Sequence, residues 1–329
     1  MDSGIIFVIQ IGIGFVYMNH KPIVAVLLST YNGETYLREQ IDSIFKQDNV
    51  EVKLFVRDDG SKDSTLEILN EYSQLYPIEI IVDGENVRPG ESFMRLVYKY
   101  ADLPDIDFYA FADQDDIWFP NKLFTAISSI RNNDMNIPVL YSSNQYIYTD
   151  GDNKGLRYNC PQRIDLISHM TRNTISGCTF VFNKALAQLL AHSDRPDRRI
   201  LRYRLHDAWI MLVAIVCGQV IYDENAYMLY RIHSNNTVGV REESFSERLK
   251  KLKRFFVKKD DANIRLITAQ ELLRIFPDMS EDNKSIIRLF ADYQNSWANK
   301  KALAFNKIIK VNCCENSLVF TIKVLINFV

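Results

Sequence analysis

Residues 108–120 read FYAFADQDDIWFP. The apolar run from Phe108 to Ala112 stops at Asp113, Asp115 and Asp116, and Trp118 and Pro120 follow at once. A run of this length, bounded in this way, predicts a buried strand that ends at a sheet edge. Two acids separated by one residue at a strand end can both turn toward one hard cation, because carboxylate oxygens suit Mg²⁺ or Mn²⁺. The competing reading is an acidic turn that caps the helix beginning near Pro120. The rest of the chain decides between the two.

Upstream, Ile23 to Ser29 (IVAVLLS) is a continuous apolar run, the pattern of a strand buried on both faces of a parallel sheet. Turn chemistry follows at Asn32-Gly33, and Leu37, Ile41, Ile44 and Phe45 carry helical spacing. Val52 to Val56 predicts the second strand, ending in Arg57-Asp58-Asp59-Gly60-Ser61, with a helix over Ser64 to Tyr72. Ile78 to Val82 and Phe93 to Tyr100 repeat the pair. Strand and helix alternating in this way predict an α/β fold, a mostly parallel central sheet flanked by helices. Ligands bind such sheets at the C-terminal strand edge, where Asp58/Asp59 and Asp113/Asp115 both fall. Neither a Gly-x-Gly-x-x-Gly nor a Walker loop is present, so acids and a metal must handle any phosphate.

Beyond Val139 the pattern loosens. Leu140 to Tyr148 and Phe180 to Phe182 read as strands, and Asn183 as the cap of a helix from Lys184 to Leu190. Arg195 to Arg204 reads as a basic loop. His206-Asp207-Ala208-Trp209 leads an apolar helix that Gly218 ends. Val220 to Tyr222 and Tyr227 to Tyr230 read as two short strands before the polar stretch Tyr230 to Thr237. Glu247 to Lys259 is a basic segment with apolar residues at helical spacing, suited to an anionic surface or to plain solvent. Helices are expected over 262–310, and an apolar stretch closes the chain at Ser317 to Val329.

This divides the 329 residues into an N-terminal extension (1–21), a catalytic-type domain (22–240) and a helical C-terminal region (241–329) suited to docking on a membrane. Ile5 to Tyr17 is apolar but spans about 13 residues, short of the roughly 20 that cross a bilayer. It lacks a basic leader. Met18 offers a natural start, so residues 1–17 read as a mis-called start or a loose extension, with a short membrane anchor as the rival. Apolar residues make up 47% and charged residues 24%, as in a folded globular protein. A net charge of −2 gives no reason to expect nucleic-acid binding. Five Cys, without a C-x-x-C, fit a reducing cytoplasmic setting.

The polar clusters Asp58/Asp59, Asp113/Asp115, His206/Asp207 and Arg231/His233/Asn235 would all be needed in sugar transfer from a nucleotide-diphosphate donor. A metal on Asp-x-Asp would neutralise the departing diphosphate. A carboxylate after strand two can accept the base's N–H, and Asp207 suits proton removal from the acceptor hydroxyl. Arg231 and His233 can stabilise the leaving charge. A sugar nucleotidyltransferase is the rival on the same fold, but TYNGE (30–34) lacks the basic residue that such a loop wants. A non-catalytic nucleotide-sugar-binding protein is the rival from another class.

Six stretches carry a family resemblance. They are Ser29 to Glu34 with Tyr36-Leu37 and Glu39-Gln40-Ile41; Arg57 to Ser61 with Asp63 and Thr65; and Asp113 to Asp116 with Trp118, Pro120 and Lys122. The others are Ser176 to Thr179, His206 to Trp209 and Tyr230 to Thr237. In this order, over roughly 22–240, the chain resembles the inverting glycosyltransferases of family 2, with the GT-A (Rossmann-like) fold, in their rhamnosyltransferase-like branch. The resemblance implies a dTDP- or UDP-sugar donor, rhamnose above all, and a glycan or lipid-linked acceptor for a cell-surface polysaccharide. It also implies Mn²⁺ or Mg²⁺ and work at the cytoplasmic membrane face. By position it implies that Thr30 and Tyr31 line the nucleotide pocket and that Asp59, with Asp58, holds the pyrimidine. Asp113 would lie by the ribose and the metal, Asp115 would bind the metal and Asp207 would be the base. Arg231, His233, Asn235 and Trp209 would face diphosphate and acceptor. His206 stands where many family members carry an acid, which leaves its own role open.

Overall fold

The structure, a computed structural model, describes residues 7–10, 15–18, 21–233 and 263–329. Strands β1 (Phe7–Gln10) and β2 (Phe15–Met18) pair with each other as an antiparallel hairpin. Among the described residues the main sheet has nine strands. Its first half alternates β3 (Ile23–Thr30), α1 (Leu37–Phe45), β4 (Glu51–Asp58), α2 (Thr65–Ser73), β5 (Ile78–Val82), α3 (Arg88–Tyr100) and β6 (Phe108–Ala112). These strands lie in the order β5-β4-β3-β6, all parallel.

The continuous apolar runs have a direct cause. Ala25, Leu27, Tyr109 and Phe111 enter a core on one face of the sheet, while Val24, Val26, Phe108 and Ala110 enter a second core on the other. Side chains alternate across a strand, so a strand with a core on each face has no polar positions to offer. All five residues of β6 are buried.

After β6 come β7 (Ile117–Trp118), α4 (Lys122–Arg131), β8 (Val139–Thr149) and β9 (Asp152–Leu156). Then follow α5 (Leu166–Thr171), a 3₁₀ turn (Gly177–Thr179), β10 (Val181–Asn183), α6 (Lys184–His192), α7 (Arg198–Tyr203), α8 (Leu205–Cys217) and β11 (Gln219–Arg231). The sheet continues β6-β10-β8-β11-β7, with β9 on β8, and β10 runs antiparallel to both neighbours. Asn183 caps α6 as its sequence predicts, accepting from the Leu186 N–H at 3.1 Å. The acids after β6 do not cap α4: Asn121 holds the capping position, with β7 in between.

Two expectations need correction. The two short strands before Arg231 are one strand, β11, whose register on β8 shifts around Ala226. The polar bulge Asp223-Glu224-Asn225 imitates a turn in the sequence. The expected loop over Arg195 to Arg204 contains α7, which buries Ile200 and Leu201 between exposed arginines and starts from an Asp197 cap.

The last helices are α9 (Ile264–Ile275), α10 (Glu281–Ala291), α11 (Trp297–Ala304), α12 (Lys307–Asn312) and α13 (Ser317–Leu325). Leu272, Phe276, Phe290 and Phe320 join the same apolar cluster as α3 and α8, so this region packs onto the sheet domain. Among the described residues no helix is long and apolar enough to cross a membrane. The basic segment Glu247 to Lys259 lies outside the described residues.

A buried ion pair ties the acidic strand ends together. Arg57, at 1% side-chain exposure, donates to Asp59 at 2.5 Å and to Asp83 at 2.7 Å, and also to the Ser92 hydroxyl and the Glu85 carbonyl. Removing one member of such a pair strands the other charge. Arg57→Met is therefore expected to cost about 3–5 kcal/mol in urea unfolding. Adding Asp59→Asn should recover part of that loss, and strictly additive losses in the double variant would refute the coupling.

Candidate active site

One cleft of about 530 Å³ opens at the C-terminal ends of β3, β4 and β6. Thr30, Tyr31 and Asp59 line one part of it, and Asp113, Gln114 and Asp115 another. Gly177, Cys178, His206, Asp207 and His233 also line it. Residues 92 positions apart in sequence, Asp115 and Asp207, thus face one hollow.

The acidic loop is anchored by its middle residue. Gln114 Oε1 accepts the Tyr31 N–H at 2.8 Å, and its amide donates to the Tyr31 carbonyl at 3.1 Å. This side chain extends the β3–β6 pairing past the strands. Gly33 makes room for it, since a Cβ there would stand 2.5 Å from Gln114 Oε1. Asn32 holds the left-handed conformation (φ 48°) that Asn tolerates in such a turn.

Asp59 accepts from Arg57 and from the Val87 and Arg88 N–H groups, both at 2.8 Å. A carboxylate offers about four lone-pair sites, so one site on Oδ2 is left for a ligand. Asp58 is wholly buried and serves the turn itself. It accepts from the Thr30 hydroxyl, the Gly60 and Ser61 N–H groups and the Ser61 hydroxyl.

Burial, then the charges of Asp115 and Asp207, push the Asp113 carboxyl up to about 7. Asp207 is also pushed up to about 7 by burial, against the Ala208 and Gly177 N–H groups and the charges of Arg204 and Arg157. It sits in the first turn of α8, not at its cap: Leu205 at φ 66° breaks α7 from α8 just before it. A left-handed Leu costs of order 1–3 kcal/mol, and here it turns His206 and Asp207 into the cleft wall. The 3₁₀ turn presses close against them, since a Cβ on Gly177 would lie 2.7 Å from His206 Nε2 and 3.1 Å from Asp207 Cβ. His206 stacks on Phe93 at 4.1 Å and meets Phe111 edge-on. Burial holds its pKa near 3, so it is a neutral ring.

Asp113 and Asp115 fit a hard divalent ion: both offer oxygen, both line the cleft, and their mutual repulsion is what a cation relieves. Asp115 Oδ2 meets His233 Nε2 at 2.7 Å, an arrangement that orients a ligand from behind. Asp113, Asp116 and Cys178 also bring donor atoms within 4.8 Å of one another. That trio suits the ion less well. A thiol is a soft donor, and Asp116 is wholly buried with one oxygen on the Arg231 N–H.

The Glycosyl transferase family 2 model matches residues 25–190. The chain is 33% identical over 238 residues to the dTDP-rhamnosyl transferase RfbG of Shigella flexneri, covering 68% of this chain and 78% of that one. This chain is a family 2 glycosyl transferase. It is also 30% identical over 167 residues to the Escherichia coli UDP-Glc:alpha-D-GlcNAc-diphosphoundecaprenol beta-1,3-glucosyltransferase WfgD, over 50% of this chain and 61% of that one. In fold the transferase is similar to S. aureus TarS residues 1–349 in complex with UDP, with a TM-score of 0.56 at 17% identity, over 92% of this chain and 80% of that one. The fold is GT-A-like.

Within the transferase, three expected site residues fall elsewhere. Trp209 is 2% exposed and packs toward Phe276 in the core, because α8 turns that side away from the cleft. The Arg231 guanidinium donates to the Asp115 carbonyl and to Glu39 and lies against Tyr36 and Tyr148, so it braces the acidic loop from outside the cleft wall. Asp58 is the third, used up by its own turn. Asn235 lies outside the described residues. Gln114 was not singled out by its sequence, since a glutamine between two acids carries no signal of the backbone it will bind.

Raised carboxyls make stability pH-dependent with a definite sign. Asp207 keeps its proton in the fold where the unfolded chain has lost it. Its favourable contribution is therefore present below the ordinary carboxylate range and is lost as pH rises toward about 7. Asp207→Asn is expected to raise the melting temperature of the metal-free protein at about pH 8, by roughly 2–4 °C per kcal/mol relieved. The gain should vanish near pH 4, and a gain independent of pH would contradict the assignment.

Proposed function

We propose that the chain moves a deoxyhexose, rhamnose from dTDP-rhamnose, onto a hydroxyl of a cell-surface glycan by a single inverting displacement. The observation that carries this reading is the shared cleft: Asp207 and the Asp113/Asp115 pair line one hollow with Thr30, Tyr31 and Asp59. The name of the 33%-identical relative supports the donor. The E. coli relative's name gives a diphosphate-linked lipid sugar as its acceptor, and an acceptor of that class suits this chain too.

In this reading Tyr31 and Thr30 flank the nucleotide, and the open lone pair of Asp59 Oδ2 accepts the pyrimidine N–H. Asp115 with Asp113 would hold Mn²⁺ or Mg²⁺, which would supply positive charge for the leaving diphosphate. Asp207 takes the proton from the acceptor hydroxyl as its oxygen bonds to the anomeric carbon. The bond from that carbon to the diphosphate oxygen breaks on the opposite face, and dTDP leaves with the electron pair. A carboxylate near 7 is well matched to this work, because it is basic enough to accept the proton and ionised enough to be ready. His233 steadies Asp115, and His206, neutral and apolar-packed, shapes the wall.

Transfer assays across dTDP- and UDP-sugars with a lipid-linked acceptor test this. Turnover should need Mn²⁺ or Mg²⁺, and should fall about tenfold per unit as pH drops below about 7. Asp207→Asn should lower kcat by about 10²–10⁴ while dTDP still binds. Turnover indifferent to chelator and to Asp207→Asn would overturn the mechanism.

We also propose that the transferase works at the cytoplasmic membrane face, resting on its last helices. Ile308 and Val311 on α12 and Leu318 and Ile322 on α13 are exposed, with Lys307 and Lys310 beside them. Apolar residues flanked by lysines favour an anionic bilayer surface. Co-sedimentation with phosphatidylglycerol vesicles should drop severalfold in an Ile308→Ser/Leu318→Ser variant, and unchanged sedimentation would remove this part.

A further inference from the structure

Asp207 also faces a second cavity, again of about 530 Å³, which shares Ser176 and Leu205 with the first. Its wall is cationic. Arg157, Arg172, Arg204 and Arg265 line it, and Asp207 is the single carboxylate among its described lining residues. Among the described residues, none of Arg157, Arg172 and Arg204 forms an ion pair with a carboxylate, as Arg57, Arg199 and Arg265 do.

Three of the four guanidiniums are held in place. Arg157 donates to Gln145 at 2.7 Å and to the Ser176 hydroxyl at 2.5 Å, and lies over the rings of Tyr158 and Tyr230. Arg204 donates to the Met170 carbonyl at 2.9 Å and to that of His169. Burial, then the charge of Arg265, pulls the Arg204 pKa down to about 9, with Asp207 opposing. Arg265 pairs with Glu315 and donates to the Thr171 carbonyl, while its Nη1 is buried without a partner among the described residues. Arg157, Arg204 and Arg265 are so held while Arg172 is exposed, and cations gathered in one hollow repel one another unless an anion joins them. Planar guanidinium forks match phosphate oxygens in pairs.

We propose that this cavity binds a phosphate or diphosphate group of the acceptor, setting the hydroxyl to be glycosylated against Asp207. The proposal rests on Asp207 being the base. The hollow is also tied to the helices proposed to meet the membrane: the Cys314 N–H donates to the Thr171 hydroxyl, the Ser168 hydroxyl to the Asn312 carbonyl, and Glu315 holds Arg265. A prenyl-diphosphate sugar and a soluble phosphorylated glycan share the chemistry, and the test separates them.

Titration calorimetry on the full chain, with dTDP and Mn²⁺ saturating the donor cleft, uses inorganic pyrophosphate and farnesyl diphosphate as probes. Pyrophosphate should bind the wild type, and Arg172→Gln should weaken it about threefold. Arg157→Gln/Arg172→Gln should weaken it about tenfold or more, with dTDP affinity unchanged. Arg172 is exposed, so its variant serves if the double variant fails to fold. Farnesyl diphosphate binding at least tenfold tighter assigns the prenyl source, and equal binding assigns the soluble one. No pyrophosphate binding to the wild type, or equal binding in all three proteins, overturns the proposal while leaving the donor reading intact. Absent dTDP binding with Arg172-sensitive pyrophosphate binding would sink the donor reading alone.

Discussion

Negative charge crowded into a poorly solvated hollow is the constraint from which the rest of the site follows. Asp113, Asp115 and Asp207 line one cleft, with Asp116 buried against it. Carboxylates so placed cannot all ionise cheaply. The fold meets the problem in part by protonation, visible in the raised carboxyls of Asp113, Asp116 and Asp207. It meets another part by local donors: His233 on Asp115 and the Arg231 N–H on Asp116. What remains is a standing demand for a cation on the β6 side. A fold that had only to be stable would have placed apolar residues here.

That hollow is kept rigid by polar contacts rather than by apolar packing. Gln114 grips the Tyr31 backbone from both sides, and Arg57 ties Asp59 to Asp83 beneath it. Gly33 and Gly177 give up side chains so that Gln114 and the His206-Asp207 turn can come close. Gln114 joins the end of β6 to the end of β3, and Arg57 joins the end of β4 to Asp83 just past β5. The cleft therefore forms only when the whole parallel half of the sheet has assembled.

The legible part of the chain was the part governed by period and by local chemistry. The buried runs of β3, β4 and β6 and the Asn183 cap could be read because burial on both faces and a capping side chain leave local marks. The acids of the cleft could be read because charge at the end of an apolar strand needs a reason. β11 was read as two strands because Asp223 to Asn225 carries a bulge that resembles a turn. Trp209 and Arg231 lie close in sequence to residues that line the cleft, yet helix phase and the carboxylate of Glu39 send their side chains elsewhere. The arginine cavity left no mark at all. Its members come from β9's exit, α5's exit, the α7–α8 junction and α9, and nothing local marks their convergence.

Asp207 thus stands between two hollows of opposite sign. Burial raises its proton affinity and Arg204 and Arg157 on one side lower it, while on the other side its own charge helps raise Asp113. Under the proposed function, a cation entering the first hollow and an anion entering the second would each neutralise one of these influences. Their effects on Asp207 are opposite in sign. The donor's diphosphate enters with the cation and offsets its charge, so the acceptor's anion has the larger effect, and it would leave Asp207 a stronger base only once the acceptor is seated. The charge arrangement itself then favours transfer over hydrolysis, without any part of the chain having to move.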